Sequence, residues 1–126
     1  MYKASQEALE KYVADMAEAA RRDELLDAAR AADEALLEAE ARYAPITELH
    51  PLARTLDGAL TAVMQAAYAA QRAAIGPRGY EDRIYFRRSK AKPAIRTLTH
   101  EAERLLTLRE SHRLNRIPQV PPEPAV

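Results

Sequence analysis

Residues 5–44 contain neither glycine nor proline, and this long stretch most constrains the fold. It consists mostly of Ala, Glu, Leu, Arg and Asp, which are largely good helix formers. Ser5 is suited to cap the start of a helix, because its hydroxyl can accept a hydrogen bond from an early backbone N–H, and Pro45 ends the stretch. The sequence therefore predicts a helix over about 5–44, which would be about 58 Å long.

The apolar residues of this helix follow coiled-coil-like spacing in two parts. The first part has 4-3-4 spacing at Leu9, Val13, Met16 and Ala20, and the second has 4-3-4-3-4 spacing at Leu25, Ala29, Ala32, Leu36, Ala39 and Tyr43. Between them, at 21–24, the pattern slips by one residue. The helix either continues with a local change in supercoil or breaks with Asp23 as a new N-cap. We favour a continuous or slightly bent helix.

Prolines and glycines mark two further helices. Pro51 suits the first turn of a second helix over 51–75, which Gly76 and the following proline end. Gly58 lies inside this helix and predicts a close backbone crossing. A third helix is predicted over 94–115, after Pro93. The short connection between the first two helices predicts that they form an antiparallel hairpin.

Two segments lack the helical period. Residues 78–92 are rich in Arg and Lys and predict an irregular basic excursion, while residues 118–126 hold four prolines and predict an extended arm. The predicted fold class is therefore all-α. It comprises a long antiparallel helical hairpin, a third helix, the irregular basic excursion and the extended Pro-rich C-terminal arm. Residues 1–117 would form a single helical domain.

The predicted core is unusual because its side chains are small. The sequence holds 27 alanines, 23 of them before residue 76, and only seven aromatic residues. Each buried alanine removes little apolar area from water. Stability must therefore come from close helix–helix approach, or from surface that is buried against other chains.

The charges are balanced overall but unevenly distributed. Residues 1–75 carry 8 basic and 13 acidic side chains, a net charge of −5, whereas residues 76–126 carry 11 basic and 6 acidic side chains, a net charge of +5. Copies of the chain could join head to tail, acidic end to basic end, or the halves could neutralise each other within one fold. We favour neutralisation within one fold.

The composition also bears on the cellular location. The absence of cysteine excludes disulfides, and no apolar run approaches the 18 residues of a transmembrane helix. The first seven residues do not resemble a secretory signal. We therefore expect a cytoplasmic, intracellular location without membrane contact.

No recognised catalytic or metal motif is present. His100 and His112 are twelve positions apart, too far along one straight helix to share a metal ion. Carboxylate pairs such as Glu34 with Glu38 lack the Glu-x-x-His partners of a di-metal bundle. The Gly-x-x-Gly match at residues 76–79 is better explained as a helix end. We expect no enzyme activity, cofactor, metal or small-molecule substrate.

The basic segment over 78–96 is the strongest candidate binding region, with seven cations against two acids and three aromatic residues between them. Its cations could neutralise phosphates of a nucleic acid or meet an acidic face of a protein. A sequence pI of about 6.8 favours the protein, because dedicated nucleic-acid binders usually have a pI above 9. The candidate nucleic-acid contacts are Arg78, Arg87, Arg88, Lys90, Lys92 and Arg96.

These patterns predict a non-enzymatic structural subunit of a larger assembly of identical or different chains. By architectural analogy, the specific prediction is a virion component of a tailed bacteriophage, such as a head–tail connector or capsid accessory protein. The alternatives are a nucleic-acid-binding or regulatory module that uses 78–96, and a small inhibitor or chaperone of one protein. The predicted interface residues are Arg83, Ile84, Tyr85, Phe86, Arg87, Arg88, Val120, Pro121, Pro122 and Val126.

Overall fold

The structure is a computed structural model that describes residues 1–117, and within this range it is helical without any strand. The prediction of an all-α fold is confirmed for these residues, whereas the predicted C-terminal arm lies outside them. The described helices are α1 (Gln6–Ala19), α2 (Arg22–Ala41), α3 (Ile46–Ile75), a 3₁₀ turn (Pro77–Tyr80), α4 (Arg83–Ser89) and α5 (Pro93–Asn115).

The first predicted helix is divided into α1 and α2, so the prediction of an unbroken helix over 5–44 is wrong. The division lies at Ala20 and Arg21, and Arg21 rather than Asp23 is the residue before α2. The backbone at Arg21 has φ −90° and ψ 1°, which departs from helical values, and the Arg22 side chain donates a hydrogen bond of 3.2 Å to the Ala19 carbonyl. The slip in apolar spacing marks this division.

The second long helix, α3, begins at Ile46 rather than at Pro51. Pro45 precedes it in extended conformation, and the backbone N–H groups of Glu48 and Leu49 both donate to its carbonyl. Leu49 packs against a buried apolar cluster, which stabilises this extra turn. Pro51 lies in the second turn of the helix and has no backbone N–H, so one helical hydrogen bond is absent there.

The basic segment is helical, so the prediction of an irregular excursion over 78–92 is wrong. Gly76 ends α3 with a φ of +99°, a value that glycine adopts without a steric penalty. The 3₁₀ turn follows, and then the Asp82 side chain accepts a 3.0 Å hydrogen bond from the Tyr85 N–H and so caps α4. A seven-residue helix is too short for its apolar period to be recognised in the sequence.

The three long neighbours α1, α2 and α5 all pack on α3. α2 packs in two apolar clusters against the first two thirds of α3, and α1 packs against the last turns of α3. α5 runs antiparallel to α3 along its length. Many core positions are alanines buried almost completely, among them Ala39, Ala53, Ala66, Ala69 and Ala102. Gly58 is not one of the close-approach sites, because a Cβ atom added there would meet nothing within 4 Å. The predicted close crossing at Gly58 is therefore wrong.

Candidate functional site

A cleft of about 510 Å³ lies where α3, the 3₁₀ turn and α4 meet, and we call it the basic cleft. Arg83 and Arg87 line it from α4, and Lys90, the residue that directly follows α4, lines it on the same side, so that the three stand at i, i+4 and i+7. Its remaining lining residues are Arg72, Gly79, Tyr80 and Phe86. Within residues 1–117, the cleft thus brings together four cationic side chains and two aromatic rings.

Arg72 and Tyr80 are held in place by a carboxylate from α1. The Arg72 guanidinium donates two hydrogen bonds, of 2.8 and 3.0 Å, to Asp15, and the Tyr80 hydroxyl donates a third of 2.5 Å. Burial raises the pKa of Asp15, but the hydrogen bonds from Arg72 and Tyr80 outweigh it and the pKa is lowered. Burial, and then the hydrogen bond to Asp15, raise the pKa of the Tyr80 hydroxyl. The Asp15 carboxylate is therefore charged and fully engaged at neutral pH.

Most of the cations around the basic cleft have no ion-pair partner within residues 1–117. Six exposed side chains on α4, on the turn that follows it and at the start of α5 form no ion pair with any residue of 1–117; these are Arg83, Arg87, Arg88, Lys90, Lys92 and Arg96. Other arginines of the basic half reach acids of the acidic half, as Arg113 reaches Asp57 and Arg116 reaches Asp33. The expected neutralisation of basic-half charges by acids of the acidic half therefore does not include the arginines of α4.

Arg78 serves the fold rather than a free basic surface. Its guanidinium lies over the rings of Tyr2 and Tyr85, at 4.8 and 4.6 Å, and donates a 3.1 Å hydrogen bond to Asp82. The adjacent Glu81 accepts hydrogen bonds from the Tyr2 hydroxyl and from the backbone and side chain of Ser5. The hydrogen bond to Glu81 is the main reason that the pKa of Tyr2 is raised to about 12. The 3₁₀ turn thus fastens the N-terminal segment.

The predicted interface residues on α4 divide between its sides. Arg83 and Arg87 face the basic cleft, while Ile84 is 66% exposed. Arg88 is also exposed but does not line the cleft. Tyr85 and Phe86 are half-buried, beneath Arg78 and Lys90 respectively. The predicted contacts at Val120, Pro121, Pro122 and Val126 lie outside the described residues.

A second unusual surface is the apolar stripe of α1. Leu9 is 40% exposed, Val13 62% and Met16 48%, although their spacing predicts a buried seam. α1 instead turns Ala8 and Asp15 towards α3. The stripe borders a shallow groove lined by Met16, Ala19, Ala20, Arg22, Ala70, Ala73, Ala74 and Leu98.

Three features were not predicted from the sequence: Arg72 and Tyr80 as members of the basic cleft, Asp15 as the carboxylate that holds them, and the exposure of the α1 stripe. Asp15 lies 57 positions before Arg72 and 65 positions before Tyr80, so no local sequence pattern links them. The 4-3-4 spacing of the α1 stripe predicts a coiled-coil-like seam, but the spacing does not say whether the partner helix belongs to the same chain or to another. Its slip relative to α2 was the signal that α1 and α2 do not present one continuous buried face.

Residues 1–117 hold no group of three or more His, Asp or Glu side chains placed to bind a metal ion. Within the same range, every helix is too short or too polar to cross a membrane. No family model, curated protein or solved structure matches this chain.

Proposed function

We propose that this chain is a non-catalytic interaction subunit of a multi-subunit assembly, and that the α1 stripe binds a helix of a neighbouring subunit. The observation that carries the proposal is the exposure of Leu9, Val13 and Met16 on one side of α1. Spacing of 4-3-4 is the pattern by which one helix packs along another. α1 is also well fixed, because Asp15 and the N-terminal segment tie it to α3 and to the 3₁₀ turn.

The groove beside the stripe suits a helix as its occupant. Its floor consists of small side chains, Ala70, Ala73 and Ala74 on α3, and Leu98 of α5 forms the far wall. Small residues allow two helix backbones to approach closely. A partner helix with apolar residues at the same spacing would cover both the groove and the stripe.

The size of the stripe indicates what kind of contact it makes. Full burial of a Leu, Val or Met contributes about 1.5–3 kcal/mol, so covering these three half-exposed side chains contributes roughly 2–4 kcal/mol. Association costs at least about 4 kcal/mol in lost translational and rotational freedom. The stripe alone is therefore too small for a stable dimer. It suits a subunit that is held by several contacts at once.

The second contact in this proposal is the outer side of α4. Exposed Ile84 beside Arg88 would meet an apolar position within an acidic protein surface. In this arrangement α2 and α3 act as a rigid hairpin that carries both surfaces, and the C-terminal arm adds a further anchor. A small virion component of a tailed bacteriophage is the specific form of subunit that we propose.

The test compares Val13→Asp with Ala14→Asp, which introduces the same charge at an exposed position beside the stripe. The native mass of each variant is measured by analytical ultracentrifugation, for the purified chain and for a tagged chain in cell extract. We expect the wild type and Ala14→Asp to sediment well above the 14.1 kDa of one chain, and Val13→Asp to sediment as one chain. A wild type that sediments as one chain in both preparations would refute the proposal.

The alternative of a nucleic-acid-binding module is supported by the six cations that form no ion pair within residues 1–117. It is disfavoured by the aromatic rings, because Arg78 covers Tyr85 and Lys90 covers Phe86, so these rings are not free to stack on bases. Nuclease treatment distinguishes the interaction subunit from the nucleic-acid-binding module. An assembly that dissociates on nuclease treatment would favour the nucleic-acid-binding module. An assembly of one chain with a single different protein would favour the inhibitor or chaperone alternative.

A further inference from the structure

The basic cleft is independent of the α1 stripe and has the properties of a ligand site. Its volume of about 510 Å³ lies in the range of small-molecule pockets, which is about 300–1,000 Å³. Within the described range, four cationic side chains and no carboxylate line it, and the Asp15 carboxylate behind Arg72 is already bound by Arg72 and Tyr80. Arg83, Arg87 and Lys90 find no acidic partner within residues 1–117.

The spacing of Arg83, Arg87 and Lys90, which have no acidic partner within residues 1–117, indicates that their ligand carries more than one negative charge. Residues 83 and 90 on one helix are separated by about 10 Å along its axis. Three positive charges in a row over this distance repel one another unless an anion lies between them. A ligand with its negative charges in a row, rather than a single carboxylate, neutralises all three.

The side chains that line the basic cleft are types that proteins use to bind phosphate groups. Arginine presents a planar fork of donors that matches two oxygens of a phosphate group, and lysine adds a mobile point charge. At the base of the cleft Arg72 is fixed by Asp15, so part of the site is preorganised. Gly79 and Phe86 form an apolar wall, which excludes water on one side of the ligand.

We propose that the basic cleft binds a small ligand with two or more linked phosphate groups, such as inorganic pyrophosphate or the diphosphate of a nucleotide. Arg83, Arg87 and Lys90 would bind the phosphate groups along α4, and Arg72 would bind the innermost group with the donor face that Asp15 leaves free. Arg88 lies on the same helix and carries the same charge, but it does not line the cleft.

The test uses isothermal titration calorimetry at about 0.15 M salt with pyrophosphate, ADP and adenosine as separate probes. We expect pyrophosphate and ADP to bind and adenosine not to bind. Loss of one charged hydrogen-bond donor corresponds to roughly tenfold to a hundredfold in affinity. Arg87→Gln should therefore weaken pyrophosphate binding by that factor, whereas the matched control Arg88→Gln should change it less than about twofold.

Other results would overturn the proposal. These are the absence of pyrophosphate and ADP binding at millimolar concentration, equal losses for Arg87→Gln and Arg88→Gln, and tighter binding of a single-stranded oligonucleotide without terminal phosphate than of pyrophosphate. Arg87→Lys keeps the positive charge and should therefore retain more affinity for pyrophosphate than Arg87→Gln. This comparison separates the loss of charge from a general effect of substitution at this position. Circular dichroism confirms that each variant keeps its helix content. None of these outcomes depends on whether the α1 stripe binds a partner.

Discussion

Arg72 on α3 holds Asp15 on α1 through two hydrogen bonds of 2.8 and 3.0 Å between side chains that are 57 positions apart in sequence. Tyr80 donates to the same carboxylate and so joins the 3₁₀ turn to both helices. One buried acid therefore fixes the position of α1 and the base of the basic cleft. The presence of a charged group at this depth is explained by its three donors.

Asp15→Asn should reduce the free energy of unfolding. The amide keeps the shape of the carboxylate but weakens the hydrogen bonds from Arg72 and Tyr80. Because the Arg72 side chain is 40% exposed and solvent screens part of the interaction, we expect a loss of about 1–2 kcal/mol by urea denaturation. Glu7→Gln, which breaks the exposed ion pair with Lys11, is the control and should leave the urea midpoint unchanged.

The advantage of the wild type over Asp15→Asn should depend on pH at both ends of the range. The pKa of Asp15 is lowered in the fold, so its contribution is complete above the ordinary value of about 3.9 and is lost as the pH falls through the folded pKa. The pKa of Tyr80 is raised, so its contribution is complete below about 10 and is lost as the pH rises through the folded pKa. Urea midpoints from pH 3 to 11 test this, and a constant difference would contradict it.

The glycines at 58 and 79 should respond oppositely to alanine. A Cβ at Gly79 would lie 2.6 Å from the Cγ2 atom of Ile75 and 3.4 Å from the Phe86 ring, so Gly79→Ala should cost about 1–3 kcal/mol of stability. Gly58 lies exposed in α3 with open space around it, so Gly58→Ala should add about 1 kcal/mol through helix propensity. Thermal unfolding of both variants checks the pair, and a Gly79→Ala protein as stable as the wild type would show that the turn can move.

Much of the helical content could be predicted from the sequence, and the reasons for the errors are physical. The absence of glycine and proline over 5–44 correctly indicated helix, but only the slip in apolar spacing marks the division at Ala20 and Arg21, because no glycine or proline lies there. The division reflects how α1 and α2 pack on different parts of α3. α4 was missed because it depends on the Asp82 cap and on the packing of half-buried Tyr85 and Phe86.

The cations of the basic cleft could be predicted only in part. The excess of Arg and Lys over 78–96 indicated the region, and the sequence named Arg83, Arg87 and Lys90 as contacts. Their positions on one side of a helix could not be inferred while the segment was interpreted as irregular. Arg78 carries the same charge but stacks on Tyr2, a contact between residues that are far apart in the chain.

A buried polar pair between α3 and α5 allows a double-mutant test. Gln71 donates a 2.8 Å hydrogen bond to the Thr99 hydroxyl, which in turn donates to the Ile95 carbonyl. Thr99→Val leaves the Gln71 amide without its partner, so we expect a loss of about 1–3 kcal/mol. Gln71→Leu combined with Thr99→Val should recover much of this loss, because neither side chain then needs a partner.

The double variant is measured by urea denaturation beside both single variants. Additive losses, with the double variant the least stable, would show that packing rather than the hydrogen bond determines the effect of these residues.

The alanines of the core should tolerate little enlargement. Ala102 on α5 is fully buried in a cluster with Ala29 and Val63, so Ala102→Leu should cost about 1–3 kcal/mol or more through overpacking. Ala35 on α2 is exposed, so Ala35→Leu should change stability by less than about 0.5 kcal/mol. Urea denaturation compares the two variants. Equal stability of Ala102→Leu and Ala35→Leu would mean that the helices can move apart to hold a leucine without a loss of folding free energy.

His112 should be sensitive to truncation in the same core. It is only 3% exposed and its Nε2 atom lies 2.7 Å from the Ala53 carbonyl, so the ring bridges α5 to α3. His112→Ala removes the packed ring and this hydrogen bond, and we expect a loss of about 2–3 kcal/mol in the urea denaturation experiment. His100, which is exposed on the same helix, provides the control as His100→Ala, and similar losses for the two would contradict the bridging role.

The central position of α3 has a consequence for chain connectivity. Because α1, α2 and α5 each pack on α3, the order in which the chain visits them matters less than the presence of that shared helix. A circular permutant opened at the exposed Tyr43, between α2 and α3, should therefore regain the same helix packing. Two co-expressed fragments divided at that point should likewise reassociate, whereas a chain without α3 would retain no common surface around which its other helices can gather.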